Sequence, residues 1–460
     1  MKTLVDPNQA LSDGLTRLRA QFQVPADFPP DVLRAADAAA QRRPTAHADR
    51  TDRPFVTLDP ATSTDLDQAF TIERSAEDLL LHYAIADVAW FVDDGGAIDA
   101  EAWRRGATLY LPDGKARLYP PAISEGAASL LPTGPRPAVI FTVRVRPDGA
   151  VALDAAERAV IRSVAKLAYD SVRPSELPPE FPEFAARIRA AEAGRGAARV
   201  DPPEQEVARD DGQWQLRFRL RAPSEDQNAA LSLATNLAIA QVLQAAGVGL
   251  FRVMAEPDER AVNRLRQTAR ALGLPWPQME PLVQFQRGLD PADPKQAAFM
   301  LAVRRAGTAA SYVPYRQDQP PWHAAVAAPY VHATAPLRRL PDRHVVSTVL
   351  ALANGRPAPE AAVQAFEDLP EIMARADALG GRIERAVVDL AETVMLQARE
   401  GETFRAIVTD TDERGARIQL CELPVVARVA ANRVQPGEDL QVRLTQADPA
   451  NPPARFQRIS

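Results

Sequence analysis

The sequence is short of cysteine, histidine and lysine, and each shortage removes a class of chemistry. A single cysteine, Cys421, in 460 residues excludes a disulfide framework and any cysteine-built zinc centre. An intracellular, cytoplasmic location is the expectation that follows. The five histidines, His47, His82, His323, His332 and His344, lack the spacing of a zinc site, and core or surface roles are the ordinary reading of each. No run of about 18 uninterrupted apolar residues occurs, so no membrane span is expected. The opening MKTLVDPNQALSDG is broken by Asp, Pro and Asn before an apolar stretch can form, so no secretory leader is expected. No Walker-type phosphate loop is found, and no small-molecule organic cofactor is expected. Excess positive charge is also absent: 54 Lys+Arg against 60 Asp+Glu leave −6, which excludes a uniformly basic coat for non-specific nucleic-acid binding. Only Lys2, Lys115, Lys166 and Lys295 are lysines; the other 50 basic residues are arginines. The arginine fork grips phosphate in a bidentate way, but coding bias that also raises Ala and Pro is the simpler explanation. Local clustering has to carry any argument.

What is present is the texture of a soluble globular protein, 46% hydrophobic and 25% charged, with a length that suggests about three domains. Residues 1–50 read as two or three short helices, NQALSDGLTRLRAQF and then DVLRAADAAAQRR after the breaker FPP, forming a helical N-terminal domain of helix-turn-helix-like pattern. With seven Lys/Arg against six Asp/Glu it is hardly basic. From Phe55 the runs FVTLD, QAFTIE, LLLHYAIADVAWFV and AVIFTVRVRPDGAV read as strands. Helices are expected from about 224 to 310, including the all-round apolar NAALSLATNLAIAQVLQAAG, and again from about 342 to 398. Residues 51–399 are therefore read as one large α+β unit. The tail, 400–460, alternates in short strands with turns at DERG and PGED, the pattern of a small OB-like barrel of about five strands. Cys421 falls in one of those strands as a packing residue.

Two stretches carry chemistry. TLDPATSTDLDQAF holds Asp59, Asp65 and Asp67. A strand is expected to begin near Asp65, so that Asp65 and Asp67 share a face with Leu66 opposite. Carboxylates forced together repel unless protonated or neutralised, and oxygen-only ligands of this kind suit Mg²⁺ or Mn²⁺. Turn aspartates on a solvated loop are the ordinary reading of such a cluster. Asp87, inside the apolar IADVAWF, argues for more, because an Asp there needs a partner. The second stretch, YVHATAPLRRLPDR, brings Tyr330, His332, Thr334, Arg338, Arg339, Asp342 and Arg343 together. Six arginines between 301 and 345, interleaved with Tyr312, Tyr315, Trp322 and Tyr330, suit phosphate gripping with base stacking. A solvated helix start with arginine caps fits this stretch equally well.

In order along the chain, FVTLDPATSTDLDQAF, YAIADVAWFV, AIDAEAWRRGATLYLPD, LYPPAISEGAASLLP and YVHATAPLRRLPDR resemble the landmarks of the RNase II family, the RNB-domain proteins, over residues 54 to about 398. The tail resembles the S1-type OB domain that follows in that family. The resemblance implies a processive 3′→5′ exoribonuclease that hydrolyses single-stranded RNA to nucleoside 5′-monophosphates, acting as a monomer through metal-activated water. It implies that Asp59, Asp65 and Asp67 hold Mg²⁺, with Mn²⁺ as the alternative, and that Gln68 stands in the remaining ligand position. It casts Asp65, Asp67 and Arg338 as the catalytic set, with Arg338 gripping the phosphate. Tyr110 of LYLP resembles the aromatic that clamps a base near the 3′ end. Tyr330, His332 and Arg339 are placed along the RNA, and Glu384 in RIERAVVDL resembles the glutamate of a late helix that closes the site.

The chain departs from that pattern in several places. Gln68 replaces the second of two adjacent aspartates, and Ala229 and Ala230 stand where an acidic pair precedes Asn236. Ala335, Leu337 and Leu340 replace a serine, an isoleucine and a tyrosine around the two arginines. The first 50 residues cannot hold the two cold-shock OB domains that typically precede the catalytic domain. These departures motivate a second reading, an RNA-binding regulator on a catalytically attenuated RNB scaffold. A third, in which the N-terminal helices contact duplex nucleic acid, has little basic charge to support it.

Overall fold

The strand texture that begins at Phe55 becomes a seven-stranded mixed sheet in the computed structural model of the chain, which describes residues 2–3, 9–197, 201–210, 213–412, 415–431 and 433–459. The chain opens with β1 (Lys2–Thr3), α1 (Ala10–Gln21) and α2 (Pro30–Ala40). Strands β2 (Ala48–Asp49), β3 (Phe55–Asp59), β4 (Gln68–Ser75) and β5 (Asp78–Ala86) follow. Helices α3 (Val88–Phe91) and α4 (Ala97–Arg105) lead to a hairpin, β6 (Leu109–Leu111) with β7 (Gly114–Ala116). Strands β8 (Arg136–Val145), β9 (Val151–Ile161) and β10 (Ser163–Ala168) complete the sheet, in the order β10-β3-β4-β5-β8-β9-β2. Next come α5 (Phe181–Arg195), the hairpin β11 (Glu204–Asp210) and β12 (Gln213–Arg219), and α6 (Pro223–Ala246). Then β13 (Leu250–Val253), α7 (Glu259–Ala271), α8 (Leu282–Arg287), α9 (Pro294–Ala306) and β14 (Ser311–Pro314) lead to α10 (Leu340–Ala353) and the 37-residue α11 (Glu360–Leu396). The tail is a closed five-stranded barrel of β15 (Thr403–Asp412), β16 (Gly415–Leu420), β17 (Val426–Val429), β18 (Asp439–Gln446) and β19 (Arg455–Arg458).

The observed architecture is the expected α+β domain with a C-terminal OB-like barrel. β3 and β5 are apolar nearly throughout because each lies inside the sheet. α6 starts at Pro223 and stops at Gly247 in a left-handed conformation, φ 68°, the usual asymmetry of helix ends. Its mean hydropathy reaches 1.4, long and apolar enough by composition to cross a membrane, yet 61% of that window is buried inside the protein, against β9, β8, α5 and α10. The two N-terminal helices form as expected, without a core of their own. Leu11, Leu15 and Leu18 of α1 pack on Ile383, Val387 and Leu390 of α11, while Val32, Ala36 and Ala39 of α2 join the main core. α1 and α11 approach closely at Gly14, where a methyl group would lie 2.5 Å from Leu390 Cδ2.

Several local expectations need correction. The second strand begins at Gln68, paired with Ile85, and not near Asp65; residues 60–67 are a loop. Asp87 sits just past β5 at the start of α3, not within a strand. The helical stretch after 224 is interrupted, because Gly247 and Gly249 end α6 and release LFRV to pair with SYVP as β13–β14. The hairpin β11–β12, built on EQEVARD and QWQLRFR, was not foreseen. Cys421 is exposed just beyond β16, because the strand ends at Leu420. The centre of the DERG turn, 413–414, lies outside the described residues.

Candidate active site

The aspartate loop joins the end of β3 to the start of β4 at one end of the sheet, and its backbone is tied down from the SLLP segment. Ser129 Oγ donates to Thr64 O at 2.8 Å and accepts from Leu66 N at 2.9 Å, while Leu130 N donates to Leu66 O at 3.0 Å. Ala86 N donates to Asp67 O at 2.9 Å. With Leu66 fully buried, these bonds fix which way Asp65 and Asp67 face although neither is in a strand.

Each acidic side chain meets a different environment. Asp67 Oδ1 accepts from Leu337 N at 2.7 Å, and Oδ2 pairs with Arg338 Nε at 3.1 Å. Burial pushes its carboxyl up to about 7, against the pull of Arg338 and the Leu337 amide. Asp59, beside Ala168 at the end of β3, is pushed up to about 6 by burial, with Arg338 opposing and the like charge of Asp65 adding. Its Oδ2 is buried with no hydrogen-bond partner. Asp65 Oδ1 accepts from Lys115 Nζ at 2.6 Å, and Oδ2 lies 3.5 Å from the Tyr110 hydroxyl. Gln68 is neutral in a neutral network: its Oε1 accepts from the Tyr83 hydroxyl and, at 3.3 Å, from Ser232 Oγ, which also bonds Thr334 Oγ1 at 3.2 Å.

Sequence-distant segments complete the site. Thr108 N donates to Arg338 O at 3.0 Å and Leu340 N to Gly106 O at 3.1 Å, so the β6–β7 hairpin is docked on the Pro-Leu-Arg-Arg turn. That docking places Tyr110, 56% exposed, at the mouth of the site with Lys115 directly across the hairpin. The Arg338 side chain is 42% exposed while holding Asp67, so its fork remains free to meet a phosphate. Arg339 instead turns to Asp342, with Nη2 2.7 Å from Oδ2. Tyr330 accepts at its hydroxyl from Asn236 Nδ2 at 3.2 Å, and Asn236 Oδ1 accepts from Ala333 N at 3.0 Å. His332 Nδ1 lies 2.8 Å from the Tyr312 hydroxyl, and burial with Arg339 and Arg252 nearby holds its pKa well below the usual value. These three residues are engaged within the protein, beside the cluster. Glu384 lies exposed on α11 and makes no hydrogen bond or ion pair to the cluster among the described residues. Asp87 has its partners, Arg158 Nε at 2.8 Å and His47 Nε2 at 3.1 Å, and belongs to a separate buried ion pair.

Sequence reasoning missed Lys115, Lys166 and Glu125. Lys115 also lies 2.8 Å from Glu125 Oε1, and Lys166 Nζ donates to Ala61 O at 2.8 Å. The signal was there: two of only four lysines flank the aspartate loop.

Three electrostatically coupled carboxylates, one with a buried orphan oxygen, suit a hard divalent cation. Asp59, Asp65 and Asp67 are the residues that would hold it, although no group of three or more His, Cys, Asp or Glu is already arranged for an ion among the described residues. Fold and site thus define an α+β domain with a carboxylate–arginine centre, an exposed aromatic beside it, and an OB-like barrel behind. The chain belongs to the RNB domain family, whose model matches residues 47–354, and the RNase II-type exonuclease C-terminal S1 domain matches residues 402–459. Nucleases of the RNase II family are metal-dependent in general. Ribonuclease R of Thermotoga maritima is 25% identical over 435 residues, spanning 86% of this chain and 60% of that protein. The chain spans 60% and 63% of the length of Ribonuclease R from Thermotoga maritima and Aquifex aeolicus, respectively. Among solved structures, Mycoplasma genitalium RNase R in complex with ribose-methylated single-stranded RNA superposes with a TM-score of 0.86 at 20% identity, covering all of this chain and 79% of that one. Yeast Ssd1, described as a pseudonuclease, superposes with a TM-score of 0.68 at 14% identity over 96% of this chain and 59% of that one.

Proposed function

We infer that this chain is a 3′→5′ exoribonuclease that hydrolyses single-stranded RNA, one nucleotide at a time, to nucleoside 5′-monophosphates. The observation that carries this reading is the pairing of buried Asp67 with half-exposed Arg338, beside the unpartnered oxygen of Asp59. A protein that only binds RNA has no use for buried carboxylates next to a polyanion. Asp59, whose buried oxygen has no partner, is the centre of the site for Mg²⁺, with Mn²⁺ as the alternative, and Asp65 and Asp67 line that site. The cation supplies Lewis-acid activation of water and neutralises charge on the phosphate. Arg338 grips the scissile phosphate with the fork that Asp67 leaves exposed and stabilises the charge that builds there. Asp67 sets the orientation of that guanidinium from behind. Tyr110 stacks on a base near the 3′ end, and the barrel adds single-strand contacts of the kind OB folds make. The protein acts as a monomer without an organic cofactor.

The test is RNA labelled at its 5′ end, incubated with Mg²⁺ or with EDTA, beside the same sequence as DNA. Progressive shortening from the 3′ end, release of nucleoside 5′-monophosphates, no reaction in EDTA and none on DNA are the expected results. Internal cleavage, or binding with no shortening under any divalent metal, contradicts the reading.

A further inference from the structure

Lys115 stands where a cation would be needed at Asp65. Its Nζ lies 2.6 Å from Asp65 Oδ1, 2.8 Å from Glu125 Oε1 and 3.3 Å from Thr64 Oγ1. The pair is enclosed, with 15% of the Lys115 side chain and 9% of the Asp65 side chain exposed. Glu125 is anchored in turn by Arg117 Nη2 at 3.0 Å and Thr64 Oγ1 at 2.6 Å; those bonds and the ammonium outweigh burial and hold its carboxyl at about 2. The ammonium is therefore fixed between two carboxylates. In a chain with 50 arginines and four lysines, a lysine here is informative. An ammonium is a compact point charge with donors in several directions, whereas a guanidinium is a planar fork. The compact ammonium fits between carboxylate oxygens of two different residues, as a small metal ion does.

The rest of the site agrees. Gln68 brings no charge, and its carbonyl oxygen is taken by Tyr83 and Ser232. Asp67 is paired with Arg338. That leaves Asp59, with its buried unpartnered oxygen, as the carboxylate in want of a cation. We propose that the Lys115 ammonium takes the place of a metal ion at Asp65, so that the site binds one divalent cation, centred on Asp59, rather than two. Lys115 is then a positioning residue that acts through Asp65. The purpose of the arrangement rests on the nuclease reading, but the ion count does not depend on turnover.

Mn²⁺ uptake by the full chain, followed by loss of the free-ion paramagnetic resonance signal, reads the count directly. Uptake by Asp59→Asn, subtracted from that of the wild type, isolates the site from stray surface ions. One ion at the wild-type site is the expected result. Lys115→Met should bind a second ion, or bind the first about tenfold more tightly, because Asp65 loses its neutralising charge a few ångströms away. Lys115→Arg, which keeps the charge, should retain the count of one. Two ions or none at the wild-type site, or a Lys115→Met isotherm indistinguishable from wild type, overturns the proposal and makes Lys115 a tether that swings onto Glu125. If Lys115→Met does not fold, the wild-type count still decides. Hydrolysis of labelled RNA is measured on the same preparations: an inactive wild type contradicts the nuclease reading while leaving the ion count to judge Lys115.

Discussion

At Gln68 an amide stands beside buried Asp67 where a carboxylate would add a second anion to the loop. From the sequence alone, Gln68→Asp should restore an acidic pair and strengthen Mg²⁺ binding. The structure changes that expectation, since the shorter side chain withdraws the acceptor that Tyr83 and Ser232 use and buries another charge. The buried Tyr83 hydroxyl keeps Ser232 Oγ at 3.2 Å but loses its Gln68 acceptor, which costs about 0.5–1.5 kcal/mol. Gln68→Asp should therefore lower the melting temperature by about 2–4 °C for each kcal/mol lost, with little gain in metal affinity. A thermal melt and a Mn²⁺ titration check both halves, and tighter binding without loss of stability would place Gln68 among the ligands. Arg338→Lys keeps a positive charge but loses the fork that holds Asp67 while meeting a phosphate. Turnover should fall by about 10²–10³-fold with RNA affinity much less changed, as read by single-turnover hydrolysis beside equilibrium binding. Equal losses in both would assign Arg338 to binding alone.

The β6–β7 hairpin is the element that turns the aspartate loop into a site, because it carries Tyr110 and Lys115 as cross-strand neighbours and is hydrogen-bonded to the Arg338 turn. Tyr110→Ala should lengthen the final oligonucleotide more than it slows the start of degradation of long RNA. Stacking contributes about 1–3 kcal/mol per base, a share that matters most when few bases remain bound. An unchanged end product on a sequencing gel would remove Tyr110 from the clamp. Much of this was legible: the aspartates, the LYLP segment and the PLRR turn were found as motifs, and the barrel followed from alternating strands. The pairing of Tyr110 with Lys115 was not, since it depends on the register of a three-residue hairpin that no local pattern sets. Nor was the engagement of Tyr330 and His332 by Asn236 and Tyr312, which arises from contacts about 90 and 20 positions apart. Glu384 was chosen by likeness to a helix motif, and helical phase leaves it on the exposed side of α11.

Across the whole molecule, α11 is the spine: α1 packs on its later half, and its last turns enter the barrel core through Leu396. Glu392 sits at that junction, where Oε1 accepts from Gln205 Nε2 and from Val426 N, both at 2.7 Å, tying α11 to β11 and the barrel. Burial pushes its carboxyl up to about 8, against those two bonds. The folded protein therefore holds a proton that the unfolded chain releases at the ordinary glutamate value. Stability from this group is full at acidic pH and is lost as pH rises from about 5 towards 8. Glu392→Gln keeps an acceptor for both bonds and cannot ionise, so it should flatten that part of the decline in melting temperature between pH 5 and 8. A variant with the wild-type slope would show that Glu392 is not the group responsible. α1 and α2 share cores with the rest of the chain, which no change of texture near residue 50 revealed, because an apolar stripe does not show what covers it.

The central claim, that buried Asp67 and half-exposed Arg338 form a hydrolytic centre and not merely an RNA grip, is tested most directly by measuring binding and single-turnover hydrolysis together on the wild type and Asp67→Asn. The wild type is predicted to shorten 5′-labelled single-stranded RNA from its 3′ end with Mg²⁺ and to bind without shortening it in EDTA. Asp67→Asn should bind within a few-fold of the wild type and release no nucleotide, because the arginine and aromatic contacts remain while the charge that organises the centre is gone. Hydrolysis by Asp67→Asn at the wild-type rate, or a wild type that binds RNA but leaves it intact in Mg²⁺ and Mn²⁺ alike, would contradict the account.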